Sequence, residues 1–86
     1  PDFISYIGES AFCGCSSLIE IKIPSTVSII EPSTFKDCSK LTKVELSFSV
    51  TTIREYSFYN CSLLKEIIIP PSVLFIGEVA FTLVHL

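Results

Sequence analysis

Leu18-Ile19-Glu20-Ile21-Lys22-Ile23-Pro24, followed by Val27 to Ile30 and then by Thr34-Phe35-Lys36-Asp37-Cys38, is a phrase that this chain restates at a step of 23 residues. Leu18, Leu41 and Leu64 each open a copy, and Phe12, Phe35, Phe58 and Phe81 stand at the same spacing. Further apolar columns follow it: Ile21, Val44 and Ile67; Ile23, Leu46 and Ile69; Ile4, Val27, Val50 and Val73; Ile7, Ile30, Ile53 and Ile76. Cys15, Cys38 and Cys61 form another column, broken by Val84, and Pro1, Pro24 and Pro70 a further one, broken by Ser47. A unit of this length cannot bury its own apolar face, so successive units must stack on one another.

The composition agrees with stacking. The chain has 86 residues, of which 49% are apolar and 17% charged. A free globule this small buries only about 60% of the surface its unfolded chain exposes. So greasy a sequence is therefore expected to be an excerpt of a longer array, with flanking repeats of the same chain covering its ends. The lack of an initiator Met and of a polar end-cap points the same way. The net charge is −3 and the six basic residues are scattered, which excludes the clustered basic footprint of a nucleic-acid binder. No stretch reaches the roughly 18 unbroken apolar residues of a spanning helix, so membrane insertion by this segment is not expected.

Within one copy, Leu41-Thr42-Lys43-Val44-Glu45-Leu46 alternates apolar and polar residues with the period of a half-buried strand. Proline at 24 and 70 ends the strand, having no N–H to give a ladder. Val27 to Ile30 and its equivalents read as a second, shorter extended piece. The connecting arc carries the repeated Phe behind a small residue, Ala11, Thr34, Ser57 or Ala80. Its length predicts a single helical turn or a 3₁₀ piece. Gly14, Asp37 and Asn60 share a column of residue types that tolerate a left-handed backbone, which predicts a tight return to the next strand.

The expected architecture is of class α/β. It is a β-rich, right-handed solenoid of about three and a half coils, with a parallel main sheet, a weaker second ladder and short helical or 3₁₀ turns. Residues 1–86 form one segment: a partial repeat at 1–17 and repeats at 18–40, 41–63 and 64–86. The phrase resembles the leucine-rich repeat superfamily, specifically its BspA-like class with a 23-residue unit, over essentially the whole chain. Leu83-Val84-His85 departs from it where Asn60-Cys61-Ser62 stands one repeat earlier. The resemblance implies a bacterial or protist surface or secreted protein, several of that class being adhesins, and hence an extracellular or cell-surface location. It implies a protein or host-matrix ligand as partner.

Four cysteines raise disulfide and metal chemistry, but three of them are one structural position repeated. Their side chains should run parallel down the stack, so they read as reduced packing thiols able to donate weakly to a nearby carbonyl. Cys13-Gly14-Cys15 lacks the two-residue gap of a zinc knuckle and has no second ligand pair. Cys13 falls in the column of Lys36, Tyr59 and Thr82, which reads as exposed. The single histidine, His85, lies about three coils, roughly 15 Å, from Cys13 and Cys15, too far for a nucleophile–base pair. No phosphate loop, histidine–carboxylate cluster or paired acidic motif is present. The segment therefore predicts no catalytic residue and no cofactor. Asn60-Cys61-Ser62 matches the N-glycosylation pattern, but a turn role explains Asn60 without modification and burial of Cys61 would hinder it.

Two surface features remain as candidate partner-binding positions. On the outward face of the main strands Glu20, Lys43 and Glu66 share a column, and Lys22 and Glu45 share another in which Ile68 replaces a charge. Opposite charges there set register at about 0.2–1 kcal/mol per pair, and Ile68 starts an apolar patch. The column Tyr6, Ile29, Thr52 and Phe75 flanks the shorter strand with three large apolar members, and Phe48 adds an aromatic in the turn. Contiguous exposed patches of this kind mark partner surfaces; the alternative is that the short strand rolls and tucks these side chains partly under the turn. The function these features predict is a non-catalytic interaction module. The alternative is a structural spacer supporting a binding or catalytic domain outside this segment.

Overall fold

Each copy of the repeat folds into two strands, and equivalent strands of successive copies pair in parallel. The computed structural model describes residues 6–84; Pro1, Ile4 and His85 lie outside them. The strands in chain order are β1 (Glu20–Lys22), β2 (Ile29–Ile30), β3 (Lys43–Glu45), β4 (Thr52–Ile53), β5 (Glu66–Ile67) and β6 (Phe75–Ile76). Odd-numbered strands form one parallel sheet in the order β1-β3-β5, and even-numbered strands form a second in the order β2-β4-β6. The register is the repeat itself: Ile21 pairs with Val44 and Val44 with Ile67, while Ile30 pairs with Ile53 and Ile53 with Ile76. A slip of one residue would turn every inward side chain to solvent, so the apolar columns lock the ladder.

The core is the set of inward columns. Leu41, Val44, Val50, Ile53, Phe58 and Cys61 of one coil are all buried against Ile23, Val27, Ile30, Phe35 and Cys38 of the coil before it. The phenylalanine rings form a continuous near-parallel stack, with centroids 5.4 Å apart from Phe12 to Phe35, 5.3 Å from Phe35 to Phe58 and 5.3 Å from Phe58 to Phe81. Phe35 and Phe58 are wholly buried, whereas Phe12 and Phe81 stack on one ring each among the described residues and are half-buried. Burial thus peaks in the middle of the stack and falls off towards its two ends.

The expected helical or 3₁₀ turn is not there: the described residues contain strands and turns but no helix. The reason lies in where the arc sends its N–H groups. Ser33, Phe35 and Asp37 donate to the carbonyls of Glu55, Ser57 and Tyr59 in the next coil, at 3.1, 2.8 and 2.9 Å. The intervening Thr34, Lys36 and Cys38 donate back to Glu31, Ser33 and Phe35, at 3.3, 3.2 and 3.2 Å. Alternate donors therefore serve neighbouring coils and local turns, and a helix, which sends every donor back along its own chain, cannot form. The backbone achieves the alternation with two left-handed residues per arc. Gly14, Asp37, Asn60 and Leu83 occupy one such column at φ 74, 61, 61 and 66°, and Ser10, Ser33, Tyr56 and Val79 a second at 59, 58, 61 and 51°. Glycine, aspartate and asparagine signal the first column in the sequence; serine, tyrosine and valine give no such signal in the second.

One glycine is set by close approach. A Cβ at Gly77 would sit 2.5 Å from the Glu55 nitrogen and 2.8 Å from the Arg54 carbonyl carbon, so the last coil presses its backbone onto the one before.

Candidate functional site

The cysteine column is chemically quiet because of how the coils stack. Cys38 donates its S–H to the Phe12 carbonyl at 3.1 Å, and Cys61 to the Phe35 carbonyl at 3.0 Å. All four cysteines are free thiols. Burial, opposed in part by a backbone hydrogen bond from Cys38, pushes the Cys61 thiol up to about 12. Burial raises Cys38 as well, with a backbone hydrogen bond from Cys15 acting against it. Both therefore stay protonated at neutral pH and are poor nucleophiles and poor metal ligands. Cys13 is exposed. Among the described residues no three His, Cys, Asp or Glu side chains gather into a group able to hold a metal ion, and no helix is long and apolar enough to cross a membrane.

Asn60 is held as a turn residue. Its Nδ2 donates to Asp37 Oδ1 at 3.0 Å, its backbone N–H donates to the Thr82 carbonyl at 2.9 Å, and Cys61 beside it is buried. A glycosylating enzyme would have to break that side-chain bond and lift a left-handed residue out of the stack.

The candidate partner-binding residues divide between the two sheets. Ile68, 83% exposed, and Phe48, 77% exposed, both line an open cleft of about 630 Å³ beside the main sheet, together with Lys43, Glu45, Lys65 and Glu66. The strand alternation points Ile68 outward, and Phe48 stands in the turn that joins β3 to β4. On the second sheet, the strand register places Ile29, Thr52 and Phe75 in one row. Phe75 and Tyr6 are well exposed, while Ile29 at 37% is half covered. Tyr6 turns its ring towards Gly8, whose added Cβ would lie 3.5 Å from Tyr6 Cε2. Leu74, next to Phe75 and 86% exposed, extends this patch. Its column mates Ser28 and Thr51 are polar, and that single departure was the available signal for it. The structure thus places Phe48 and Ile68 on one cleft beside the main sheet, and Ile29 and Phe75 in one row of the second sheet with Thr52 between them.

Of the charge columns, Lys22 and Glu45 close to 3.8 Å with both side chains largely in water, so the pair adds little stability. On the arc, Arg54 pairs with Glu55 at 3.5 Å. Beside it lies a cluster that column reading does not reveal. The rings of Tyr56 and Tyr59 are tilted by 58° with centroids 5.3 Å apart, and Lys36 Nζ of the preceding coil sits 5.5 Å from the first and 5.7 Å from the second.

Comparison with known proteins matches the geometry. Residues 1–86 match the family model described as a BspA type leucine rich repeat region (6 copies). No curated protein sequence matches significantly. Among solved structures, a leucine-rich repeat protein of Bacteroides ovatus ATCC 8483 is 38% identical with a TM-score of 0.89, over 96% of this chain and 24% of that one. A leucine-rich cell surface protein of Faecalibacterium prausnitzii A2-165 is 36% identical with a TM-score of 0.82, over 86% of this chain and 19% of that one. The leucine-rich repeat protein of T. pallidum is 29% identical with a TM-score of 0.66, over 86% of this chain and 45% of that one. The chain thus spans less than half the length of each of these solved proteins.

Proposed function

The chain belongs to the BspA-type leucine-rich repeat family, and from that membership and the surface it builds we propose that it is a non-catalytic protein-interaction module of a surface or secreted protein. The observation that carries the reading is the Phe48–Ile68 cleft: two large apolar side chains held in water at its edge by a rigid ladder, with charges of both signs around them. Apolar anchors within a polar rim are the anatomy of a protein-binding patch. The row of Ile29 and Phe75 on the second sheet supplies a further anchor line. A protein or host-matrix ligand fits this surface, and the similarity to a bacterial cell surface protein supports an extracellular setting. Nothing in the proposed activity needs a cofactor.

The test is binding of the immobilised chain to a panel of extracellular-matrix proteins, with an Ile68→Ser/Phe75→Ser double variant alongside. Both side chains are exposed, so the variant keeps the fold, which a melting curve verifies. Losing two anchors should weaken binding at least about tenfold. Unchanged affinity in the variant would remove these columns as the site. Failure of the native chain to bind any matrix protein would favour the structural spacer.

A further inference from the structure

The second left-handed column of the arc turns from serine to bulky residues, Tyr56 and then Val79. Ser10 and Ser33 occupy it in the first coils, but in the third the position is Tyr56, at φ 61°. A bulky side chain in that backbone region is uncommon and costs conformational energy. The side chain does not use its position to enter the core: Tyr56 is 41% exposed. It instead meets Tyr59 and, with it, frames the ammonium group of Lys36. The result is an exposed pair of contacting tyrosine rings with a cation lying over both, on a protein whose net charge is negative. The nearby acid, Glu55, is engaged by Arg54.

What such a cluster can hold follows from its backbone. Every N–H from Tyr56 to Cys61 is already spent, alternately on the next coil and on the local turns. No donor row remains here for an extended peptide to pair with. Recognition must come from side chains alone: ring faces, a lysine ammonium and phenolic hydroxyls. An aromatic face is electron-rich and attracts weakly positive C–H bonds, which a pyranose presents in a flat array on one side. The lysine supplies a point charge for a single carboxylate.

We infer that Tyr56, Tyr59 and Lys36 form a binding site for a carboxylated sugar, a uronic-acid residue within a glycan, with the tyrosine rings stacked on the pyranose and the ammonium paired with its carboxylate. The site lies on the arc, away from the strand faces that carry the protein-binding proposal, and stands or falls separately from it.

The test is an NMR titration following the tyrosine ring protons, with trigalacturonate, the matching uncharged trigalactoside and a triglutamate peptide as probes. Tyr56→Ser restores the residue of the two preceding coils and so keeps the fold; Lys36→Gln removes the charge while keeping an unbranched polar side chain. The native chain should saturate with trigalacturonate, and bind the uncharged sugar and the peptide more weakly. Lys36→Gln should weaken the uronate about fivefold and leave the neutral sugar unchanged, as loss of one exposed ion pair requires. Tyr56→Ser should weaken both sugars about tenfold, the upper range for one aromatic contact. The inference is overturned by any of three results: no saturation with trigalacturonate by about 10 mM, peptide binding as tight as the uronate, or a Lys36→Gln variant that still binds the uronate as the native chain does.

Discussion

Replacing Phe35 with alanine tests the stack on which every surface of the molecule rests. The ring is fully buried and lies between two others, 5.4 Å from Phe12 at an interplanar angle of 6° and 5.3 Å from Phe58 at 11°. Truncating a buried phenylalanine costs about 3–5 kcal/mol in lost transfer energy and residual cavity. Two aromatic contacts of about 0.5–1.5 kcal/mol each are lost with it, which places Phe35 at the upper end of that range. A domain of this size has a total stability of about 4–13 kcal/mol, so the variant should be severely weakened or unfolded. Phe12→Ala provides the internal comparison. That ring is half-buried and stacks on one neighbour among the described residues, so its loss should cost about half as much. Phe35→Leu, which keeps most of the volume, should cost about 1–1.5 kcal/mol. Urea unfolding followed by far-ultraviolet circular dichroism measures all three. A Phe35→Ala loss below about 1 kcal/mol, or one no larger than that of Phe12→Ala, would refute the reasoning from burial and stacking.

Two further predictions concern polar atoms in the same core. Ser57 Oγ is buried and has no hydrogen-bond partner among the described residues, whereas Thr34 at the equivalent position donates its hydroxyl to the Glu31 carbonyl at 2.7 Å. Ser57→Ala should therefore be neutral or stabilising and Thr34→Ala should cost about 1 kcal/mol by urea unfolding; equal losses would mean that Ser57 has a partner after all. Cys61 keeps its proton in the folded chain up to about pH 12 but loses it near 9.0 when unfolded. Between those values the folded state binds more protons, so its contribution is intact below pH 9 and is lost as pH rises, by about 2.7 kcal/mol at pH 11. Cys61→Ala should remove that part of the alkaline decline; superimposable pH profiles of native and variant chains would contradict it.

Most of the architecture was legible because a repeat is a one-dimensional property. A constant step of 23 residues identifies which side chains share a column, and lockstep stacking turns columns into strand register, buried rows and a ring stack without further information. The Gly14, Asp37 and Asn60 turn was readable for a different reason: those residue types announce a left-handed backbone. The fourth member of that column, Leu83 at φ 66°, adopts the same backbone without the residue type that signals it.

The sequence by itself determined the coil, its register and its core, since these depend on the pattern of apolar residues along the chain. Tertiary structure alone decided the path of the arc. Whether an N–H turns back along its own chain or across to the next coil depends on where that coil's carbonyls lie, which no local pattern encodes, and the outcome is a row of turns where a helical piece was expected. The following coil takes the Tyr56 N–H at the Glu78 carbonyl, and the preceding coil carries Lys36 to the tyrosine rings. Columns state which residues are equivalent; only the packed backbone states which unlike residues meet.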